Sequence, residues 1–235
     1  MGHHRKPTLF AGRTSRLETL IDSVFSIVMT LMVFNISLPK DRPITNLRQE
    51  LFALWPSFLA YAISFGMAGI YWSANHNMFR FIKRTSHNLN WLTIGFLGCV
   101  SLLPFSTGLL AQYNDNPTAL VFYGVNLILI GSLLCGIWTH ATTHRRLTDP
   151  HLPENVVRFG RSRILTGIYG YGLATALAPL NTTVSLTFFL LIPILFVLSP
   201  LQHLWIDYFG LRHIEEAEVE DTPSSLSPLP EASDD

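Results

Sequence analysis

The chain has 235 residues, 49% hydrophobic and 14% charged, with a mean hydropathy of +0.32. Soluble domains carry roughly 25% charged residues, and the apolar residues here come in runs of about 20, the length that crosses a bilayer; both facts argue against a single soluble domain. The formal charge is zero, yet eight of the sixteen acids lie in the tail from Ile214 to Asp235, which has no basic residue, so residues 1–213 carry +8. That balance suits a membrane with an anionic cytoplasmic face, and its dispersal into short clusters does not suit nucleic acid.

In chain order, apolar spans are expected at 17–38, 51–74, 89–111, 119–141, 164–180 and 183–208. The first follows Arg5, Lys6, Arg13 and Arg16 but is too long for a signal-peptide core and lacks a small-residue cleavage site, so it reads as a retained helix. Pro104 and Pro193 should kink their helices. Asn126 can bond across helices, and Gly170, Ala174 and Ala178 form a small-residue stripe that favours close helix contact. Asn181-Thr182 makes a tight connection between the last two spans. Placing the N-terminus inside puts thirteen basic residues on cytoplasmic segments and leaves Lys40, Arg42 and Arg48 outside, so both termini should be cytoplasmic. The chain divides into a cytoplasmic segment (1–16), a six-helix transmembrane domain (17–208) and an acidic tail (209–235) too polar to bury a core.

Soluble catalytic motifs are absent: there is no G-x-S-x-G, H-E-x-x-H, G-x-x-x-x-G-K-[ST] or C-x-x-C. Cys99 and Cys135 both lie in apolar runs and suggest neither a disulfide nor a metal cluster. There is no T-V-G-Y-G filter, and no span repeats Arg at every third position as a voltage sensor would.

The first span is the informative one. Asp22 lies about one turn inside it, and an ionisable group there turns towards protein or water. At about 100° per residue, Ser26 lies near Asp22, and Ser23, Thr30, Phe34, Ile27 and Leu31 follow around the helix. Hydroxyls thus interleave with Ile27, Leu31 and Phe34, a pattern lipid does not require. Two readings fit: a helix lining an aqueous path with those three as constrictions, or a helix packed in a bundle with its hydroxyls bonded back to the i−4 carbonyls. In the second span Trp72 and His76, at i and i+4, share a face. His76, Asp22 and Arg16 fall at one depth, where a hydrogen-bonded network would satisfy all three; an interfacial aromatic belt is the alternative.

Arg16, three residues, then Leu20-Ile21-Asp22 and an aliphatic run resembles the Arg-x-x-x-Phe-Ser-Asp first-helix signature of the lysosomal and endosomal potassium channel family called transmembrane protein 175, in its bacterial single-repeat form. Trp72 and His76, Leu102-Leu103-Pro104-Phe105-Ser106-Thr107 and Tyr123-Gly124-Val125-Asn126-Leu127 also look like family sequence, and the likeness extends from about Arg16 to Leu201. Leu20 and Ile21 stand where the family has Phe and Ser. The resemblance implies an all-α membrane protein with six transmembrane helices per subunit. It further implies a homotetramer with helix one around a central pore.

By matched position, Ile27 would be the narrowest ring, with Leu31 and Phe34 further out and Thr30 and Ser23 alongside, while Arg16, Asp22, Trp72 and His76 support the helix. The expected activity is a potassium-permeable cation channel of the prokaryotic cell membrane. No cofactor, metal site, nucleic acid or enzyme activity is expected; partners are its own copies, lipid and monovalent cations. A secondary transporter is the main rival, but no clear 3+3 repeat is visible. A membrane-embedded enzyme lacks a convergent set of His, Asp and Glu.

Overall fold

The computed structural model of the chain describes residues 11–38, 46–143, 147–149 and 152–198. They form α1 (Ala11–Leu31), a 3-10 turn (Met32–Asn35), α2 (Leu47–Ala53), α3 (Trp55–Phe81), α4 (His87–Ser101), α5 (Leu103–Gln112), α6 (Pro117–Thr142), α7 (Glu154–Leu177) and α8 (Thr182–Leu198). Among the described residues there is no strand, and one isolated antiparallel bridge joins Ile82 to Thr148. The described part of the protein is therefore all-helical, as expected. The tail at 209–235 and the end of the sixth expected span lie outside the described residues.

Among the described residues, three stretches are long and apolar enough to cross a membrane: Thr14–Asn35, His87–Gln112 and Pro117–Thr142. The α2–α3 pair passes the same test together, bent by 45°. Helix α8 is apolar but 17 residues long. Helix α7 begins at Glu154, before the apolar run expected from Ile164, because its first turns carry Arg158, Arg161 and Arg163 and are invisible to hydropathy. Helix α3 likewise continues past Ala74 to Phe81, carrying His76 with it.

Proline sets the breaks. Its ring crowds the carbonyl four residues back and it offers no N–H. Pro56 and Pro104 accordingly sit in the first turns of α3 and α5, just after Leu54 and Leu102 interrupt the helix. At Pro104 the helix is interrupted at the single residue Leu102, between α4 and α5, within the one apolar stretch His87–Gln112, and Pro193 stays inside α8. Asn46, Ser86, Asn116 and Asn181 accept N–H bonds at the starts of α2, α4, α6 and α8, the usual role of short polar residues at helix entries.

Helix α6 carries much of the core, with Leu120, Tyr123, Leu127, Ile130, Leu134 and Ile137 buried along one stripe. In lipid, close packing and interhelical hydrogen bonds hold such helices together more than water exclusion does. At Gly124 an added Cβ would collide with Thr175 Oγ1, and at Gly131 it would lie 3.0 Å from Ile168 Cγ1, so α6 and α7 approach closely at both glycines. The small-residue stripe on α7 does what its sequence suggests: Ala174 and Ala178 are buried, and Ser185 Oγ of α8 donates to the Ala174 carbonyl at 2.7 Å. Asn126 Nδ2 donates to Ser106 Oγ at 3.1 Å, joining α6 to α5. At one end of the bundle the Lys83 and Arg84 N–H groups donate to the Leu147 carbonyl at 2.8 and 3.2 Å. This brings the α3–α4 and α6–α7 connections together.

Candidate functional site

Helix α1 meets the rest of the bundle along a single seam. Leu17, Ile21, Phe25, Val28 and Met32 are buried, spaced four, four, three and four residues apart, which keeps them on one side of an α-helix. Phe25 packs against Phe96 of α4 with ring centroids 5.9 Å apart. The other side of α1 faces away from the rest of the chain. Ile27 is 57% exposed, Leu31 44% and Phe34 75%, and Ser23, Ser26 and Thr30 are exposed among them. All five sequence-predicted lining residues therefore share one outward surface.

The hydroxyls on this surface bond to their own helix. Ser23 Oγ donates to the Thr19 carbonyl at 2.7 Å, Ser26 Oγ to the Asp22 carbonyl at 2.8 Å, and Thr30 Oγ1 to the Ile27 carbonyl at 2.8 Å. This is the back-bonding expected of a packed helix, and here it occurs on an exposed face. A hydroxyl has one donor and two acceptor lone pairs. With the hydrogen committed to the backbone, the oxygen presents acceptors only to whatever approaches.

The supporting residues are brought together in part. Trp72 Nε1 donates to Asp22 Oδ1 at 2.8 Å, and the Trp72 ring stacks on His76 with centroids 5.4 Å apart and planes 22° apart. The indole thus links the carboxylate to the imidazole. Among the described residues, no bond or ion pair ties Arg16 to Asp22 or His76, and Arg16 is exposed on α1. No group of three or more His, Cys, Asp or Glu among the described residues could hold a metal.

A second fastening was not anticipated from sequence. Asn35 Nδ2, in the 3-10 turn after α1, donates to the Pro104 carbonyl at 2.9 Å. A Cβ on Gly108 would lie 2.7 Å from Asn35 Oδ1, so glycine one turn after Pro104 opens the space that the amide occupies. The available signals were an Asn closing the first apolar run and a Gly at i+4 from a helix-starting Pro.

A family model described as Endosomal/lysosomal potassium channel TMEM175 matches residues 16–104. A Streptomyces collinus protein named as a potassium channel is 30% identical over 179 residues, covering 74% of this chain and 87% of that protein. A Chamaesiphon minutus protein, also named as a potassium channel, is 31% identical over 190 residues, covering 77% and 93%. A crystal structure described as a lysosomal potassium-selective channel TMEM175 homolog from Chamaesiphon minutus superposes with a TM-score of 0.72 at 28% identity, covering 80% of this chain and 98% of that one. With a packed helical fold, apolar spans and relatives matched over most of their length, the chain belongs to the TMEM175 family, a family of membrane ion channels and not of enzymes.

Proposed function

We propose that this chain is the single-repeat subunit of a potassium-permeable cation channel in a prokaryotic cytoplasmic membrane. Four copies assemble with α1 around the central axis, six helices of each cross the bilayer, and both termini face the cytoplasm. The observation that carries this reading is the outward face of α1, where large apolar side chains alternate with hydroxyls that have no protein partner beyond their own helix. Lipid would leave the hydroxyls without purpose, and a fully packed helix would not leave Phe34 exposed.

In this mechanism Ile27 forms the narrowest ring, with Leu31 and Phe34 further out, and the path opens by wetting or widening of those rings. Aliphatic rings cannot replace a hydration shell as backbone carbonyls do. Potassium, the larger ion, holds its water less tightly than sodium and passes a partly dehydrating ring at lower cost, so it is favoured modestly. The Ser23 and Thr30 oxygens, restricted to acceptor roles, stabilise a cation and offer nothing to an anion. Asp22, Trp72 and His76 hold the inner end of α1 in register, with Arg16 near that end, and Asn35 holds the outer end.

The test is reconstitution of the purified chain in liposomes, with a bi-ionic reversal potential for potassium against sodium and a subunit count by mass photometry. Four subunits and a modest potassium preference are expected. Flux that requires a counter-substrate and saturates would indicate a carrier. An anion-selective reversal would overturn the reading, as would near-absolute exclusion of sodium, which side-chain rings do not provide.

A further inference from the structure

The three arginines of α7 part company in the structure. Arg163 turns onto α8, with its guanidinium 5.3 Å from the Phe196 ring centroid and Nη2 donating to the Phe196 carbonyl at 3.5 Å. Arg158 and Arg161, three residues apart and so on neighbouring positions of one helix face, are exposed. Arg80, at the end of α3, and Lys83 and Arg84, just beyond it, are exposed as well. Among the described residues none of these five has a side-chain hydrogen bond or ion pair.

The two basic segments are held at one level by Trp138 of α6. Its ring packs edge-on to Phe81 at 6.4 Å, its Nε1 donates to the Val157 carbonyl at 3.0 Å, and an added Cβ on Gly160 would touch it at 3.1 Å. Phe81 adjoins Arg80, Val157 adjoins Arg158, and Gly160 adjoins Arg161. The bonds from Lys83 and Arg84 N–H to the Leu147 carbonyl, and from Asp149 N–H to the Phe81 carbonyl at 3.3 Å, fix the backbone from which the cations project. The acids in the same described segments are Asp149 and Glu154, so positive charge is in excess.

Helix length argues for a level near the lipid headgroups. Helix α6 has 26 residues, about 39 Å at 1.5 Å per residue, against a hydrocarbon core about 30 Å thick. Trp138, buried between α6 and α7, lies about one turn from the end of that helix, so the cations held beside it fall near the edge of such a core. Phe159, between the two exposed arginines, is itself 37% exposed, an apolar ring beside charge of the kind found at the interface.

We propose that Arg158 and Arg161, with Arg80, Lys83 and Arg84, form a binding surface for the phosphodiester headgroups of anionic phospholipids, presented on a platform organised by Trp138. The general bias of cationic loops does not require such a platform; two segments far apart in sequence, locked to one indole with their cations directed outward, do more than set orientation. This surface is independent of the pore reading and needs only a membrane setting.

The experiment uses the full chain in detergent, titrated with phosphatidylglycerol or phosphatidylcholine, with retained lipid counted by native mass spectrometry. Each cation near an anionic surface contributes about five-fold, so Arg158→Gln/Arg161→Gln should weaken phosphatidylglycerol retention on the order of twenty-fold and leave phosphatidylcholine unchanged. Lys83→Gln/Arg84→Gln, outside any helix, gives the same comparison if the first variant does not fold. Arg48→Gln, whose guanidinium sits 5.8 Å from the Phe52 ring elsewhere in the bundle, should change neither lipid. Equal retention of the two lipids by the unmodified chain, an equal loss with Arg48→Gln, or displacement of phosphatidylglycerol by millimolar inorganic phosphate would each overturn the proposal.

Discussion

Replacing Trp72 by Phe isolates the link between helix one and its neighbour. The substitution deletes the Nε1 donor that reaches Asp22 Oδ1 at 2.8 Å and keeps an aromatic ring over His76. Removing one partner of a buried ion pair costs about 3–5 kcal/mol, but Asp22 is exposed and Trp72 is 39% exposed. The relevant scale is that of a hydrogen bond to a charged group, about 1.5–3 kcal/mol, and water access places this one at the lower end, about 1.5 kcal/mol. That is roughly a ten-fold change in a folding equilibrium. A double-mutant cycle of Trp72→Phe with Asp22→Asn, read by SDS titration in mixed micelles with helical circular dichroism, should give a coupling of about 1 kcal/mol or more. Trp72→Ala, which removes the stack on His76 as well, should cost more than Trp72→Phe. A coupling below about 0.5 kcal/mol, the scatter of independent sites, would refute the view that this bond fastens helix one.

Ile27→Asn should make the proposed constriction wettable and raise basal current in planar bilayers; unchanged current from intact oligomers would count against Ile27 as the ring. Thr30→Ala removes an oxygen whose hydrogen is already committed to the backbone, so it should lower the potassium preference in reversal potentials and leave assembly unchanged by size-exclusion chromatography. Gly108→Ala would push the Asn35 amide off the Pro104 carbonyl and should cost about 1–3 kcal/mol, the scale of overpacking, measured by thermal unfolding in detergent. Asn35→Ala should cost less, because it removes one hydrogen bond without inserting bulk.

The helical class was legible because apolar runs of bilayer length leave few alternatives, and the face of α1 was legible because a 3.6-residue period sorts Ile21, Phe25 and Val28 from Ile27, Leu31 and Phe34. Two things escaped. Helix α7 begins in a charged segment, and hydropathy registers only the part that lipid covers, so Glu154 to Arg163 looked like loop. The partner of Asp22 was sought among charges, Arg16 and His76, whereas the structure supplies it from Trp72. A sequence displays charges openly, but an indole N–H counts as apolar until its direction is known. The Asn35 fastening depends on empty space at Gly108, and a missing side chain leaves no mark in a composition or a periodicity.

The two bonds that join α1 and its 3-10 turn to other helices, from Trp72 to Asp22 and from Asn35 to Pro104, lie thirteen residues apart, about 20 Å along the axis. Between them, among the described residues, every side-chain hydrogen bond on α1 is internal to the helix. Mechanically this is a beam pinned at both supports and greased along its length. The midsection that carries Ile27 can bow or roll without breaking a polar contact, because its hydroxyl bonds travel with it. Resistance to such a motion comes from short-range packing along the buried seam, whose stiffness is set by the size and fit of Phe25, Val28 and their neighbours. Trimming that seam would soften the middle of the helix, whereas cutting either end would release it.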